Sequence, residues 1–174
     1  MLDNPQKWKP VPHWATAGLD REGISARTLH SLTQCLVSGN LEAFATQHGL
    51  DLGAGALGLA RGARYTARLA RDRLIAVGLT AEEMSTGWHK DGYAVTPMNA
   101  ALHVFEFTGP GILEVVARAT SIDPQNAGPC AAVQFAGVTG CLYFHESQQR
   151  MRLHIERGLA AYIWQWLQEQ PIFG

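Results

Sequence analysis

Apolar residues recur along this chain in two rhythms, and the clearest switch between them falls within residues 105–167. Phe105-Glu-Phe107 alternates as a strand does. Then Thr108-Gly109-Pro110 precedes Ile112, Leu113, Val115, Val116 and Ala119, which form one apolar stripe at helical spacing. Thr108 and Gly109 suit the cap of that helix, and Pro110 its first position, where the missing N–H has no intrahelical partner. Residues 131–137, 141–145 and 150–156 are β-branched and aromatic extended runs, with Glu146-Ser147-Gln148-Gln149 as a polar turn between the last two. A final helix follows, in which Tyr162 with Trp166 and Ile163 with Leu167 are each four apart and so share a face.

Upstream, residues 28–37 read as one extended run, and Asn40 caps a helix whose inward positions are Leu41, Phe44 and Ala45 and whose end is His48-Gly49. Residues 51–64 hold Gly53, Gly55, Gly58 and Gly62 and read as a crossing loop. Residues 64–69 and 73–77 form a hairpin about Arg71-Asp72, and Thr80 with Glu83 has capping-box spacing for a short helix. Residues 88–93 are polar and aromatic, the best placed for a binding loop. The order is strand, helix, two strands, twice over. It predicts an α+β fold of two successive β-α-β-β units whose helices pack on antiparallel or mixed sheets, one domain over 26–174 behind an irregular arm at 1–25.

Composition narrows the function classes. Fourteen Lys and Arg against fifteen Asp and Glu give a net charge of -1, with no basic cluster to follow a phosphate backbone, so no nucleic acid is expected. No apolar run is long enough to span a bilayer, no secretory pattern follows Met1, and three widely spaced cysteines do not make a disulfide framework; a cytoplasmic protein is the expectation. The glycine cluster lacks the strand before and helix after that a phosphate loop requires. Cys141 and His145 share a strand face that His154 could approach, with Cys130 upstream, but no tight Cys pair accompanies them, and buried thiols with hydrogen-bonded imidazoles are the expected arrangement. Cys130 follows Gly128-Pro129 near a turn, yet nothing places a histidine beside it as a base. No catalytic, cofactor-binding or metal-binding residue is therefore assigned. The candidate surface is aromatic: Trp8 and Trp14, in a segment that cannot form its own core, are assigned to a partner interface or to self-packing, and Trp88 and Tyr93, in the polar loop, to a partner interface.

Several of these segments together carry a resemblance. Thr108-Gly109-Pro110, Ile122-Asp123-Pro124, Gly128-Pro129-Cys130-Ala131, residues 152–157 and Ala161-Tyr162-Ile163-Trp164-Gln165-Trp166-Leu167 resemble the gamma subunit of heterotetrameric sarcosine oxidase, with 36–40 and 76–78 at matching places. The resemblance implies a chain related to the folate-binding domain of the glycine cleavage T-protein, without a cofactor or activity of its own. It implies larger flavoprotein partners in a heterotetramer, with FAD, FMN, NAD and tetrahydrofolate held by those subunits and zinc by a further small one. Such a complex oxidatively demethylates an N-methyl amino acid and passes the one-carbon unit to tetrahydrofolate. The alternative is a stand-alone T-protein-like chain that binds folate or transfers one carbon. A folate site of that kind uses an acid; Glu106 and Glu114 read as solvated and Asp123 as a turn residue. The N-terminal segment and 88–93 depart from the resemblance.

Overall fold

The computed structural model describes residues 10–124, 126 and 128–174. Among the described residues there are twelve strands and three α-helices: β1 Gly18–Arg21, β2 Ile24–Leu29, β3 Gln34–Gly39, α1 Leu41–His48, β4 Leu59–Ala60, β5 Tyr65–Ala70, β6 Arg73–Val77, β7 Gly87–Trp88, β8 Tyr93–Pro97, β9 Leu102–Thr108, α2 Ile112–Ala119, β10 Ala132–Phe135, β11 Val138–His145, β12 Ser147–Glu156 and α3 Ala160–Gln168. They make two sheets. The larger has the order β1-β2-β9-β12-β11-β10 with β4 beside β11, and the smaller β5-β6-β3-β8-β7. All pairings are antiparallel except β4 with β11, so the expected mixed, largely antiparallel α+β architecture is what the chain adopts.

The two units are recognisable in the pairing. In the first, β3 leads through α1 to the β5–β6 hairpin, and β6 returns to pair with β3. In the second, β9 leads through α2 to the β10–β11–β12 meander, and β12 returns to pair with β9. Strand alternation then sorts the residues into four layers. Phe105, Phe107, Met151, Leu153, Leu142, Phe144 and Phe135 point to one side of the larger sheet, where Ile112, Val115 and Val116 of α2 and Ile163, Trp164 and Leu167 of α3 cover them. Cys35, Val37, Leu74, Ala76, Tyr93 and Val95 point to the outer side of the smaller sheet and meet Leu41 and Phe44 of α1. Between the sheets lie Tyr65, Ala67, Ile75 and Val77 against Cys141 and Tyr143. The order is α2/α3, sheet, sheet, α1.

Local signals account for most boundaries. Asn40 Oδ1 accepts the Ala43 N–H at 3.1 Å, and Gly49 takes the left-handed conformation (φ 62°) that ends α1. Five expectations are corrected. Within the segment expected as an arm, Gly18–Arg21 pairs with β2, because Glu22-Gly23 supplies a tight turn. The run expected as one strand over 28–37 divides at Ser31 (φ 60°), where the chain leaves the larger sheet for the smaller. Thr108 is not a cap: it pairs with Ser25 as the last residue of β9, and Gly111 precedes α2 without a side-chain cap. Thr80 and Glu83 do exchange the two capping-box bonds, 2.8 and 3.3 Å, but the chain makes a turn there and no α-helix. The four-residue turn at 146–149 contracts to Glu146 alone (φ 63°), and β12 already begins at Ser147. Among the described residues no helix is long and apolar enough to cross a membrane.

Candidate functional site

Outside the apolar layers, the most organised chemistry lies between the two sheets. Cross-strand register puts Glu106 opposite Arg152, Arg152 opposite Tyr143, and Cys141 opposite His154, all facing the smaller sheet. Tyr65 of β5 and Gln34 of β3 meet them from the other side. A single hydrogen-bonded chain results, and its proton directions are fixed by its ends. Arg152 can only donate: Nε to Glu106 Oε2 at 3.0 Å and Nη1 to the Tyr65 hydroxyl at 2.6 Å. Tyr65 OH then donates to Tyr143 OH (2.8 Å), and Tyr143 OH to His154 Nε2 (2.6 Å). At the far end Gln34 Oε1 accepts from His154 Nδ1 at 2.6 Å, which fixes the neutral tautomer. Burial, with the Arg152 charge adding to it, lowers the His154 pKa to about 3, and burial raises Tyr143 well above the ordinary phenol value. Chemically this is a neutral relay terminated by an ion pair, with every nitrogen of His154 occupied.

One expectation changes here. Glu106 was expected to be solvated; its side chain is 16% exposed and paired with Arg152, because the face opposite Phe105 and Phe107 is a second buried interface and not solvent. The Cys141, His145 and His154 face exists, but it divides. His154 is committed to the relay, burial raises the Cys141 thiol far above its ordinary value, and His145 Nε2 lies 3.0 Å from the Gly62 carbonyl. Nδ1 of His145 is buried without a hydrogen-bond partner among the described residues. Also among the described residues, no three His, Cys, Asp or Glu side chains gather as a metal site. Cys130 is half-buried ahead of β10, and all three cysteines are free thiols. Glu114 pairs with Arg118 on the exposed face of α2 at 3.0 Å, and Asp123 accepts from Asn126 Nδ2 at 2.6 Å in a turn.

The four aromatic candidates separate as well. Trp8 lies outside the described residues. Trp14 packs on this chain's own body, its ring centroid 4.6 Å from His103 and about 6 Å from Phe105 and Trp164. Tyr93 is removed from the candidate surface: it is 0% exposed, packs edge-on against Phe44 at 5.4 Å and donates to Gln47. Its position as the first residue of β8, facing α1, overrides the polar character of the loop around it. Trp88 remains. It is 74% exposed on the edge strand β7, beside a hairpin in which His89 stacks on Tyr93 at 4.5 Å.

Next to the relay the two sheets diverge and leave an open cavity of about 630 Å³. Its walls are mainly apolar, with His154 and Cys141 among the lining residues. Nothing in the sequence pattern announced it, because Leu36, Met98 and Leu102 read there as ordinary strand or turn positions. The glycine-rich loop is not part of this cavity's lining. It joins the layers: Ala54 bridges to Ala67, β4 lies beside β11, and Gly55 runs so close to the Gly128 carbonyl that a Cβ would fall within 2.0 Å of it.

No family model and no curated protein matches the chain. Among solved structures, its fold is similar to that of a chain of the heterotetrameric sarcosine oxidase from Corynebacterium sp. U-96, in complex with pyrrole 2-carboxylate. The two superpose with a TM-score of 0.68 and 16% identity, over 83% of this chain and 81% of that one.

Proposed function

We propose that this chain is a small accessory subunit of a multi-subunit, flavin-dependent amine oxidase or dehydrogenase of the sarcosine oxidase kind. The observation that carries the reading is the fold likeness, which extends over nearly equal shares of two chains, 83% and 81%, and so relates this chain to a component of comparable length in a heterotetrameric enzyme. The sequence resemblance to the gamma subunit points the same way. In this reading the chain contributes surface and not reacting groups. FAD, FMN, NAD and tetrahydrofolate are held by larger partner subunits, which demethylate an N-methyl amino acid and transfer its carbon. The exposed indole of Trp88, on an edge strand of only two residues, is the proposed anchor to such a partner.

Affinity purification of the full chain from its native source, followed by an absorption spectrum of the eluate, tests this. Stoichiometric larger subunits with flavin absorption are the expected result. A colourless chain that elutes alone as a stable monomer would overturn it.

A further inference from the structure

The cavity between the sheets carries charge in an arrangement that the fold does not need. Along β6, Ile75 and Val77 face the larger sheet, so Arg73, two residues earlier, faces the same space from the open end. Along β12, Glu156 likewise follows Arg152 and His154 on the face toward the smaller sheet. One cation and one anion thus stand on opposite walls of the same mouth, both exposed. Among the described residues neither side chain makes a hydrogen bond or an ion pair. Behind them Leu36, Ile75, Leu102 and Ile155 line an apolar interior, floored by His154, whose two ring nitrogens are both engaged by Tyr143 and Gln34 and so offer no polar contact. About 630 Å³ lies within the range of roughly 300–1,000 Å³ of small-molecule pockets.

We infer that this cavity is a binding site for a zwitterion with an apolar body: an amino-acid-type molecule whose carboxylate meets Arg73, whose ammonium meets Glu156, and whose aliphatic or aromatic side chain enters between the sheets. Charge complementarity selects this occupant. A purely anionic amphiphile would set its head against Glu156, and a cationic one against Arg73, whereas a zwitterion satisfies both walls at once. Every residue that lines the site belongs to this chain.

The test uses the full chain and three probes that share one ring system: L-tryptophan, indole-3-propionate, which lacks the ammonium, and tryptamine, which lacks the carboxylate. Thermal unfolding should rise by about 3 °C with L-tryptophan at ten times its Kd, and clearly less with either of the other two at the same concentration. Arg73→Ala and Glu156→Ala, both at exposed positions, should each weaken L-tryptophan by about three- to tenfold in titration calorimetry. Arg73→Glu should reverse the order and favour tryptamine. Equal stabilisation by all three probes, or none by any, overturns the proposal, as does an Arg73→Glu variant that keeps the original preference.

Discussion

The space between the two sheets has two ends, and they are built in opposite ways. At one end the buried groups are polar: an arginine, a carboxylate, two phenols, an imidazole and an amide lie in one unbroken chain of hydrogen bonds. At the other the apolar side chains of Leu36, Met98, Leu102 and Leu159 are only partly covered, around an open cavity. Solvent alone would sort these residues the other way. The polar end is tolerable because each member is satisfied, and once satisfied in a low-dielectric layer it fixes the register of one sheet on the other. Among the described residues the open end has no such closure. One end is therefore a structural joint and the other a receptive surface, and substitutions should tell them apart.

Within the inter-sheet space the largest effect is expected at the joint. Arg152→Leu removes the only cation of the relay and leaves Glu106 charged and nearly buried, which should lower stability by about 3–5 kcal/mol and Tm by roughly 10 °C. Denaturant titration of the double variant Glu106→Leu/Arg152→Leu should recover most of that loss. If the single variant is as stable as the parent, the relay is not a joint.

Acid should act on the same end through His154, and on the helix-facing side of the larger sheet through His103. In the folded chain His154 titrates at about 3 and His103, buried with Arg157 and His30 nearby, at about 4, whereas an unfolded imidazole titrates near 6.5. Both folded values are depressed, so the unfolded chain binds the extra protons, and stability present above pH 6.5 is lost as pH falls toward 4 and 3. At pH 5 each histidine should cost about 2 kcal/mol, 1.5 units below the unfolded value at 1.36 kcal/mol per unit. Unfolding measured at pH 7 and pH 5 checks this, and a His103→Gln variant should show about half the pH 5 loss.

A smaller loss is expected from Tyr143→Phe. It leaves His154 Nε2 without a donor and Tyr65 without its acceptor, in a site from which water is excluded, at a cost of about 1–3 kcal/mol. Denaturation at pH 7 measures it directly.

Much of the framework behind this contrast was legible in the sequence, because it rests on local rules. Asn40 and Gly49 delimit α1 by capping chemistry, and the stripe of Ile112, Val115, Val116 and Ala119 gives α2 its buried face. The resemblance identified a fold that the solved sarcosine oxidase structure shares. The joint was not legible. Glu106 alternates with two phenylalanines and so reads as solvent-facing, and only the second sheet, whose Tyr65 and Gln34 meet the relay across 78 to 120 positions, turns that face into an interior. Gln34 illustrates the distance involved, as it meets His154 across 120 residues. The same holds for the cavity, which arises from the divergence of two sheets and from no motif. Ser31, where one expected strand divides into two, carries no residue signal for its left-handed conformation; Gly or Asn would have given one.

The smallest expected effect on stability belongs to Trp88, and it is informative for that reason. Trp88 and Tyr93 stand five residues apart on one hairpin and looked alike in the sequence, yet one is 74% exposed and the other 0%. Tyr93→Ala should cost about 3–5 kcal/mol, since it opens a cavity beneath Phe44 and breaks the bond to Gln47. Trp88→Ala should change unfolding by no more than about 0.5 kcal/mol, because its ring contributes little to the core. If Trp88 anchors a partner subunit, the same substitution should deplete the flavoprotein from the affinity eluate while the variant chain keeps its parent Tm. Loss of the partner without loss of fold separates an interface residue from a core residue. A variant that retains its partner in full would remove Trp88 from the interface.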